Sequence, residues 1–309
     1  MAKIGIVGSG LIGRSWAVVF ARAGHETALW DGKPGAAEAA LDRARQAIAD
    51  LAEAGALADP DAAAARLSVH PTLESALDGA IYVQESIVEN RDAKQDIFEK
   101  MDAAAAPETI LASSCSAIQP STFMETVPGR ERCVIAHPTN PPHLVPLTEI
   151  VPSRWTSEQT IERTHRLLDE VGQVPVRMLK EIDGFALNRL QAALVNEGVA
   201  LVGEGAISAE DLDKCVKHGL GLRWAFMGPF ETMDLNADDG FLDYATKYGG
   251  SYQTMGKDLM VANPWKKDAI DAIASWREKD AGARTVAERQ RWRDGLLVRL
   301  RAFLSTADG

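Results

Sequence analysis

Cysteine is scarce in this chain. Of 309 residues only Cys115, Cys133 and Cys215 carry thiols, and no two form a C-x-x-C pair. A disulfide framework is excluded, and so is a metal knuckle built from paired cysteines; the count fits a reducing, cytoplasmic compartment. Long apolar runs are missing too. Nothing approaches the ~20 residues a membrane span needs. The first strand reads from Lys3, so no signal peptide is expected. Cations are in the minority, with 33 Lys and Arg against 44 Asp and Glu, a net charge of −11 and a pI near 5.1. No basic face is available for nucleic acid. An anionic substrate would need a local cation against that overall field. No internal repeat is present. The hydrophobic share is 46%, enough at this length for two domains with real cores.

Glycine, by contrast, is placed with care. Lys3-Ile4-Gly5-Ile6-Val7 reads as a short buried strand. It runs into Gly8-Ser9-Gly10-Leu11-Ile12-Gly13, and Ser15-Trp16-Ala17-Val18-Val19-Phe20 continues with helical spacing. This is G-x-G-x-x-G between a strand and a helix. The first glycine permits the tight turn, the second lets backbone approach a diphosphate, and the third lets helix pack on strand. The N–H groups near Leu11 and Ile12, at the positive end of the helix, face the phosphates. The next strand, Glu26-Thr27-Ala28-Leu29-Trp30, ends in Asp31. A carboxylate there accepts both ribose hydroxyls of NAD and repels the 2′-phosphate of NADP. The expected cofactor is therefore NAD. No metal site is expected.

The first two-thirds of the chain alternates strand and helix. Strands are expected at 81–84, 109–112, 133–136, 147–151 and 174–177. Helices are expected near 91–101 and at 158–170, and the Ala-rich stretch 36–66 has helical spacing. From Gly184 the strand signals stop. Helical periodicity holds over 185–203, 209–218, a longer stretch from Gly228, and a last helix near 285–304. On that helix Trp292, Leu296, Leu300 and Phe303 form an apolar stripe, read as core or subunit packing. The fold expected is α/β: an N-terminal Rossmann-type, doubly wound, mostly parallel sheet over 1–183, followed by an all-helical C-terminal domain over 184–309. The substrate cleft is expected between them, at the carboxyl ends of the strands.

Oxidising an alcohol with a nicotinamide requires a base for the hydroxyl proton, and histidine titrates in the right range. Of His25, His70, His137, His143, His165 and His218, one stands out. His137 ends the strand 133–136 and opens His-Pro-Thr-Asn-Pro-Pro. Glu149 lies in the next strand between apolar neighbours, where a carboxylate needs a partner. A His137–Glu149 pair would fix the imidazole tautomer and stabilise the imidazolium. Taken from the residues alone, catalytic and purely structural pairs stand equally.

The motifs carry a resemblance. Gly8-x-Gly10-x-x-Gly13, Ser113-Ser114-Cys115-Ser116, His137-Pro-x-Asn140-Pro and Gly184-Phe185-Ala186-Leu187-Asn188-Arg189-Leu190 occur in the order of the 3-hydroxyacyl-CoA dehydrogenase superfamily. The chain resembles most its lambda-crystallin branch, the L-gulonate 3-dehydrogenases. That similarity rests on 219–233, on Leu235-Asn236-Ala237 and on Arg291-Trp-Arg-Asp294. The resemblance implies roles. His137 would be the base and Glu149 its carboxylate. Ser116 and Asn188 would hold the reacting oxygen; without the resemblance they read as a turn hydroxyl and a helix cap. Glu89 and Lys94 would lie near the nicotinamide ribose. Asn140 would line the substrate site, and a homodimer is implied. Cys115 is set aside as a nucleophile, since hydride transfer needs no covalent step.

Substrate class turns on two features. CoA-using relatives carry lysines in the hairpin after the second strand. Here 36–66 offers only Arg43, Arg45 and Arg66 against six acids. Arg223, in Leu222-Arg-Trp-Ala-Phe, stands where the CoA enzymes lack it. A guanidinium can grip a carboxylate through two parallel hydrogen bonds; a surface or interface arginine is the other reading. The expected activity is NAD-dependent oxidation of the C3 hydroxyl of a small 3-hydroxy acid, L-gulonate first. A 3-hydroxyacyl-CoA dehydrogenase, an L-carnitine 3-dehydrogenase with Trp224 against the trimethylammonium, and a crystallin-like structural protein are the alternatives.

Overall fold

The computed structural model describes residues 1–259 and 263–307. Two compact units divide the chain. The first comprises Met1–Asn188 and the chain from Trp292 on; the second is Arg189–Arg291.

The first unit is built on one eight-stranded sheet. Its strands are β1 (Lys3–Val7), β2 (Glu26–Trp30), β3 (Leu67–Val69), β4 (Ala80–Glu85), β5 (Ile110–Ser113), β6 (Cys133–Pro138), β7 (Leu147–Pro152) and β8 (Val174–Arg177). They lie in the order β3-β2-β1-β4-β5-β6-β7-β8. Every neighbouring pair is parallel except β6 and β7, which run antiparallel. The order reverses at β1, between β2 and β4, and this is where ligands bind in sheets of this kind. The strands read as near-continuous apolar runs because helices cover both faces. They are α1 (Leu11–Arg22), α2 (Ala36–Glu53), α3 (Pro60–Ala65), α4 (Leu73–Leu77), α5 (Arg91–Ala104), α6 (Ser121–Met124) and α7 (Glu158–Glu170). One core gathers Ile4, Ile6, Trp16, Phe20, Leu29 and Tyr82; the other gathers Val7, Val83, Phe98, Phe123 and Ile135.

The second unit holds α8 (Leu187–Gly203) from Arg189 on, α9 (Ala209–Lys214), α10 (Gly221–Trp224), α11 (Pro229–Asp234), α12 (Phe241–Met255) and α13 (Lys267–Ala281). α14 (Val286–Ala307) follows.

Three local differences from the sequence reading have physical causes. The stretch 36–66 is two helices, parted at Gly55, whose φ of +74° a helix cannot continue. The helix over 209–218 gives way at Cys215 to a π-helical turn, Cys215–Leu220. On α14 the stripe Trp292, Leu296, Leu300 and Phe303 is exposed and so is no part of the chain's own core, which leaves the subunit-packing reading; Val298, which is buried, and Leu297 join the core of the first unit instead. The chain from Trp292 on therefore groups with the sheet rather than with 189–291. Residues 260–262, 308 and 309 of the expected second domain lie outside the described residues.

Candidate active site

The glycine turn has a distinct reason for each of its three glycines. Gly8 sits at φ +88°, and a Cβ there would meet Ser86 and Ile87 within 2.9 Å. At Gly13 a Cβ would overlap the Gly8 carbonyl oxygen. A Cβ at Gly10 would meet nothing within 4 Å. The middle glycine is thus not required by the protein's own packing, and its bare face leaves room for a diphosphate. Gly10 caps α1 without a side chain, and Leu11 is exposed. These residues fit NAD.

Asp31 braces that turn. Its Oδ2 accepts from Ser9 N–H at 2.7 Å and from the Ser9 hydroxyl at 2.8 Å, and Oδ1 accepts from Lys33 N–H at 2.9 Å. Burial works to raise its carboxyl, but these bonds and the Lys33 charge outweigh burial and hold it below the usual range.

A polar layer lies beneath the carboxyl ends of β4 and β5. Glu85, Lys94 and Ser113 are all buried. Lys94 Nζ donates to both Glu85 oxygens, at 2.9 and 3.0 Å, and is 1% exposed. Ser113 Oγ and Ile87 N–H also donate to Glu85, at 2.5 and 2.6 Å. Lys94 therefore faces Glu85 rather than open space. Beside it, Ser114 Oγ receives Trp16 Nε1 at 3.2 Å and Gln84 Nε2 at 2.7 Å, tying α1 to β4. Glu85 and Gln84 went unnoticed in the sequence. Their one signal was two polar residues in succession at the end of an apolar strand.

Glu89 shapes the loop after β5. It accepts from Ser116 N–H at 2.9 Å, the Ser116 hydroxyl at 3.1 Å, Ala117 N–H at 2.9 Å and Cys115 Sγ at 3.3 Å. Burial opposes its ionisation, yet those donors hold its carboxyl low. The Cys115 thiol is pushed up to about 12, by burial first and by Glu89 second, so it is no thiolate.

His137 and Glu149 stand directly opposite each other in the antiparallel β6–β7 register. His137 Nδ1 lies 2.8 Å from Glu149 Oε2, and both side chains are buried. Glu149 Oε1 accepts from Ala186 N–H at 2.8 Å and Leu187 N–H at 3.0 Å. Two left-handed residues aim those donors: Gly184 at φ +71° and Phe185 at φ +50°. A non-glycine residue held there is strained, a frequent mark of functional positions. The Phe185 ring meets the imidazole edge-on, with centroids 5.6 Å apart. Burial favours protonating Glu149, but His137 and the two backbone donors outweigh it and keep the carboxylate ionised. An ionised partner selects the tautomer with its proton on Nδ1. Nε2, which makes no hydrogen bond among the described residues, is then the basic nitrogen.

Asn188, in the first turn of α8, donates from Nδ2 to the Ser116 carbonyl at 2.8 Å. His137, Glu149, Ser116, Glu89 and Asn188 thus form one connected set within the first unit. Asn140 is exposed, ahead of a cis bond to Pro141. Arg223 is exposed on α10 in the second unit, with no ion pair among the described residues. No group of His, Cys, Asp and Glu able to hold a metal occurs among the described residues. None of the described helices is long and apolar enough to cross a membrane.

Known proteins match along nearly the whole chain. Residues 3–182 match the 3-hydroxyacyl-CoA dehydrogenase NAD-binding domain, and residues 184–284 match the C-terminal domain of the same enzymes. Lambda-crystallin of Oryctolagus cuniculus is 40% identical over 96% of this chain and 94% of its own length. An L-carnitine dehydrogenase of a Pseudomonas species is 35% identical over 97% and 93%. Among solved structures, an NAD+-dependent 5-formyl-3-hydroxy-2-methylpyridine 4-carboxylic acid 5-dehydrogenase superposes with a TM-score of 0.84, at 28% identity over 99% of each chain. A glycine turn with an open middle position, a buried imidazole–carboxylate pair on adjacent strands and these matches lead to one conclusion. The chain belongs to the 3-hydroxyacyl-CoA dehydrogenase family and is an NAD-dependent dehydrogenase acting on a 3-hydroxyl group.

Proposed function

We propose that the protein oxidises the C3 hydroxyl of a small 3-hydroxy acid, L-gulonate to 3-dehydro-L-gulonate. The observation that carries this reading is the His137–Glu149 pair, whose Nε2 is left unengaged. NAD supplies the hydride acceptor. Gly8, Gly10, Leu11, Ile12 and Gly13 bind its diphosphate, and Asp31 takes the adenosine ribose. Glu89 and Lys94 shape the nicotinamide end, Lys94 by way of Glu85. His137 Nε2 takes the hydroxyl proton as the carbon loses its hydride. Glu149 holds the ring and offsets the charge that appears on it. Asn188 donates its second Nδ2 hydrogen to the oxygen, where negative charge develops, and the Ser116 hydroxyl does so on turning from Glu89. Asn140 lines the substrate. Arg223 grips the carboxylate, the local cation that an acidic protein requires. In this division of labour 1–183 holds the nucleotide and 184–309 selects the substrate and pairs the subunits.

Three observations support the small-acid reading over CoA. The segment 36–66 has no lysine, Arg223 has no acid of its own among the described residues, and the similarity to lambda-crystallin spans the chain. L-carnitine is the second reading, favoured by Trp224, half exposed beside Arg223, and by the 35% identity to L-carnitine dehydrogenase. The experiment is a steady-state panel with NAD: L-gulonate, L-3-hydroxybutyrate, L-carnitine and a 3-hydroxyacyl-CoA. The highest kcat/KM should fall to L-gulonate. A CoA ester in first place would overturn the assignment, and no turnover with any alcohol would favour a structural role.

We further propose a cytoplasmic homodimer. Three free cysteines support the compartment, and the exposed Phe226, Phe230, Leu235 and Leu242 support the pairing. Sedimentation at micromolar concentration should give twice the 33.3 kDa chain mass.

A further inference from the structure

Arginines gather around His143, in the loop that joins β6 to β7. Arg22 ends α1, and its Nη1 donates to the His143 carbonyl at 2.8 Å. Arg301, on α14, reaches the same carbonyl at 3.3 Å and that of Leu144 at 3.4 Å. Arg14, in the first turn of α1, and Arg293 on α14 add their charges at the imidazole. Only Arg293 has a carboxylate, Asp294 at 2.7 Å. Among the described residues no acid pairs with Arg14, Arg22 or Arg301.

That arrangement is costly as it stands. A cation taken from water without a counter-charge is destabilising, and like charges add to the cost. Arg22 is lowered to about 10, by burial first and by Arg301 second. His143 is lowered to about 4, by burial and then by Arg22, Arg14, Arg293 and Arg301, so it is neutral at pH 7 and repels nothing. Its Nδ1 is buried without a hydrogen-bond partner. Each guanidinium offers five donors, and two backbone carbonyls engage few of them.

We propose that Arg14, Arg22 and Arg301, gathered about the His143 backbone, form a binding site for a small oxyanion, a phosphate or a carboxylate, separate from the nucleotide turn. A planar fork matches such an anion edge to edge. Neutral His143 adds no further like charge beside it. The anion neutralises three guanidiniums drawn from α1 and α14, and it braces the loop whose flanking strands carry His137 and Glu149. Occupancy therefore tunes the firmness of the hairpin that holds the base.

Thermal unfolding of the full chain tests this. Inorganic phosphate and succinate are titrated separately, against sodium chloride at matched ionic strength, each with and without saturating NAD. The expected result is a saturable rise in Tm with phosphate or succinate that chloride does not give and that persists with NAD bound. The stronger of the two arms identifies the source of the oxyanion. Arg14→Gln, whose guanidinium makes no hydrogen bond among the described residues, and Arg301→Gln should each weaken the apparent affinity at least tenfold. Any of three results overturns the proposal. They are no saturable rise in either arm, a rise abolished by NAD (the anion then occupies the glycine turn), or a rise that both variants retain.

Discussion

The two units treat their large apolar side chains in opposite ways. In the sheet unit Trp16, Phe20, Tyr82 and Phe123 are fully buried. In 189–291 Phe226, Phe230, Leu235 and Leu242 are 63, 72, 66 and 80% exposed, while the buried hydrophobic side chains among the described residues are valines and alanines: Val199, Ala200, Val202, Ala209, Ala269 and Ala281. Small residues inside and large ones outside is the inverse of a self-sufficient core. The division extends to chemistry. Every group proposed to move a proton or hold the reacting oxygen belongs to the sheet unit, where each side chain is held by at least one hydrogen bond. The one residue proposed to choose the substrate, Arg223, belongs to the other unit and is held by no ion pair among the described residues. Rigidity is concentrated where bond-making geometry needs it.

The hardest test of that contrast is His137→Ala. Loss of a general base should lower kcat by about 10²–10⁴-fold with the fold retained. Steady-state kinetics on a variant with unchanged circular dichroism will show it, and near-normal turnover would remove His137 from the chemistry. Next comes a matched pair of ion-pair deletions. Lys94→Met strands the buried Glu85 carboxylate and should cost about 3–5 kcal/mol of stability. Arg277→Ala breaks the exposed Arg277–Asp280 pair of the second unit, 2.8 Å long, and should cost under about 1 kcal/mol. Urea titrations read both. Equal losses would mean that the two units differ less in burial than their side chains indicate.

Acid should expose the same contrast through the carboxylates. Asp31, Glu89 and Glu149 are all held below their ordinary range, because the hydrogen bonds they accept outweigh the opposing effect of burial. The unfolded chain therefore binds protons more readily than the folded one. The stability these groups contribute is complete above their unfolded values, near pH 4, and is lost as pH falls through the lower folded values. Glu89→Gln should flatten that acid limb in urea midpoints measured from pH 6 to 3. An unchanged slope would show that the donors around Glu89 do not set its proton affinity.

What could be read from the sequence was whatever is local. β1, the three glycines, β2 and Asp31 follow one another within a single βαβ unit, so period and spacing were enough. His137 was legible because it ends an apolar strand. β3 was not, since Leu67–Val69 is too short to show a period. Glu85 and Lys94 lie on different elements, and only the sheet shows which acid meets which cation. The outward stripe of α14 has the spacing of a buried one; periodicity marks a face but not what it meets. The arginines around His143 come from positions as distant as 14 and 301, and no spacing rule joins them.

Arg223→Ala should have the smallest catalytic effect, and its pattern matters more than its size. The carboxylate it is proposed to grip lies at C1, while bond-making is confined to C3. The grip is therefore the same in the ground state and the transition state, and such uniform binding appears in KM rather than in kcat. A charged hydrogen bond contributes about 1.5–3 kcal/mol, so KM should rise about 10–100-fold at nearly constant kcat. Arg223→Lys keeps the charge but loses the planar fork, and should recover only part of that. His137→Ala should show the opposite pattern, a fall in kcat with little change in KM. If Arg223→Ala lowers kcat as His137→Ala does, the guanidinium acts on the reacting oxygen and the separation of chemistry from selection fails. If neither constant moves, Arg223 has no part in the site, and the small-acid reading loses its cation.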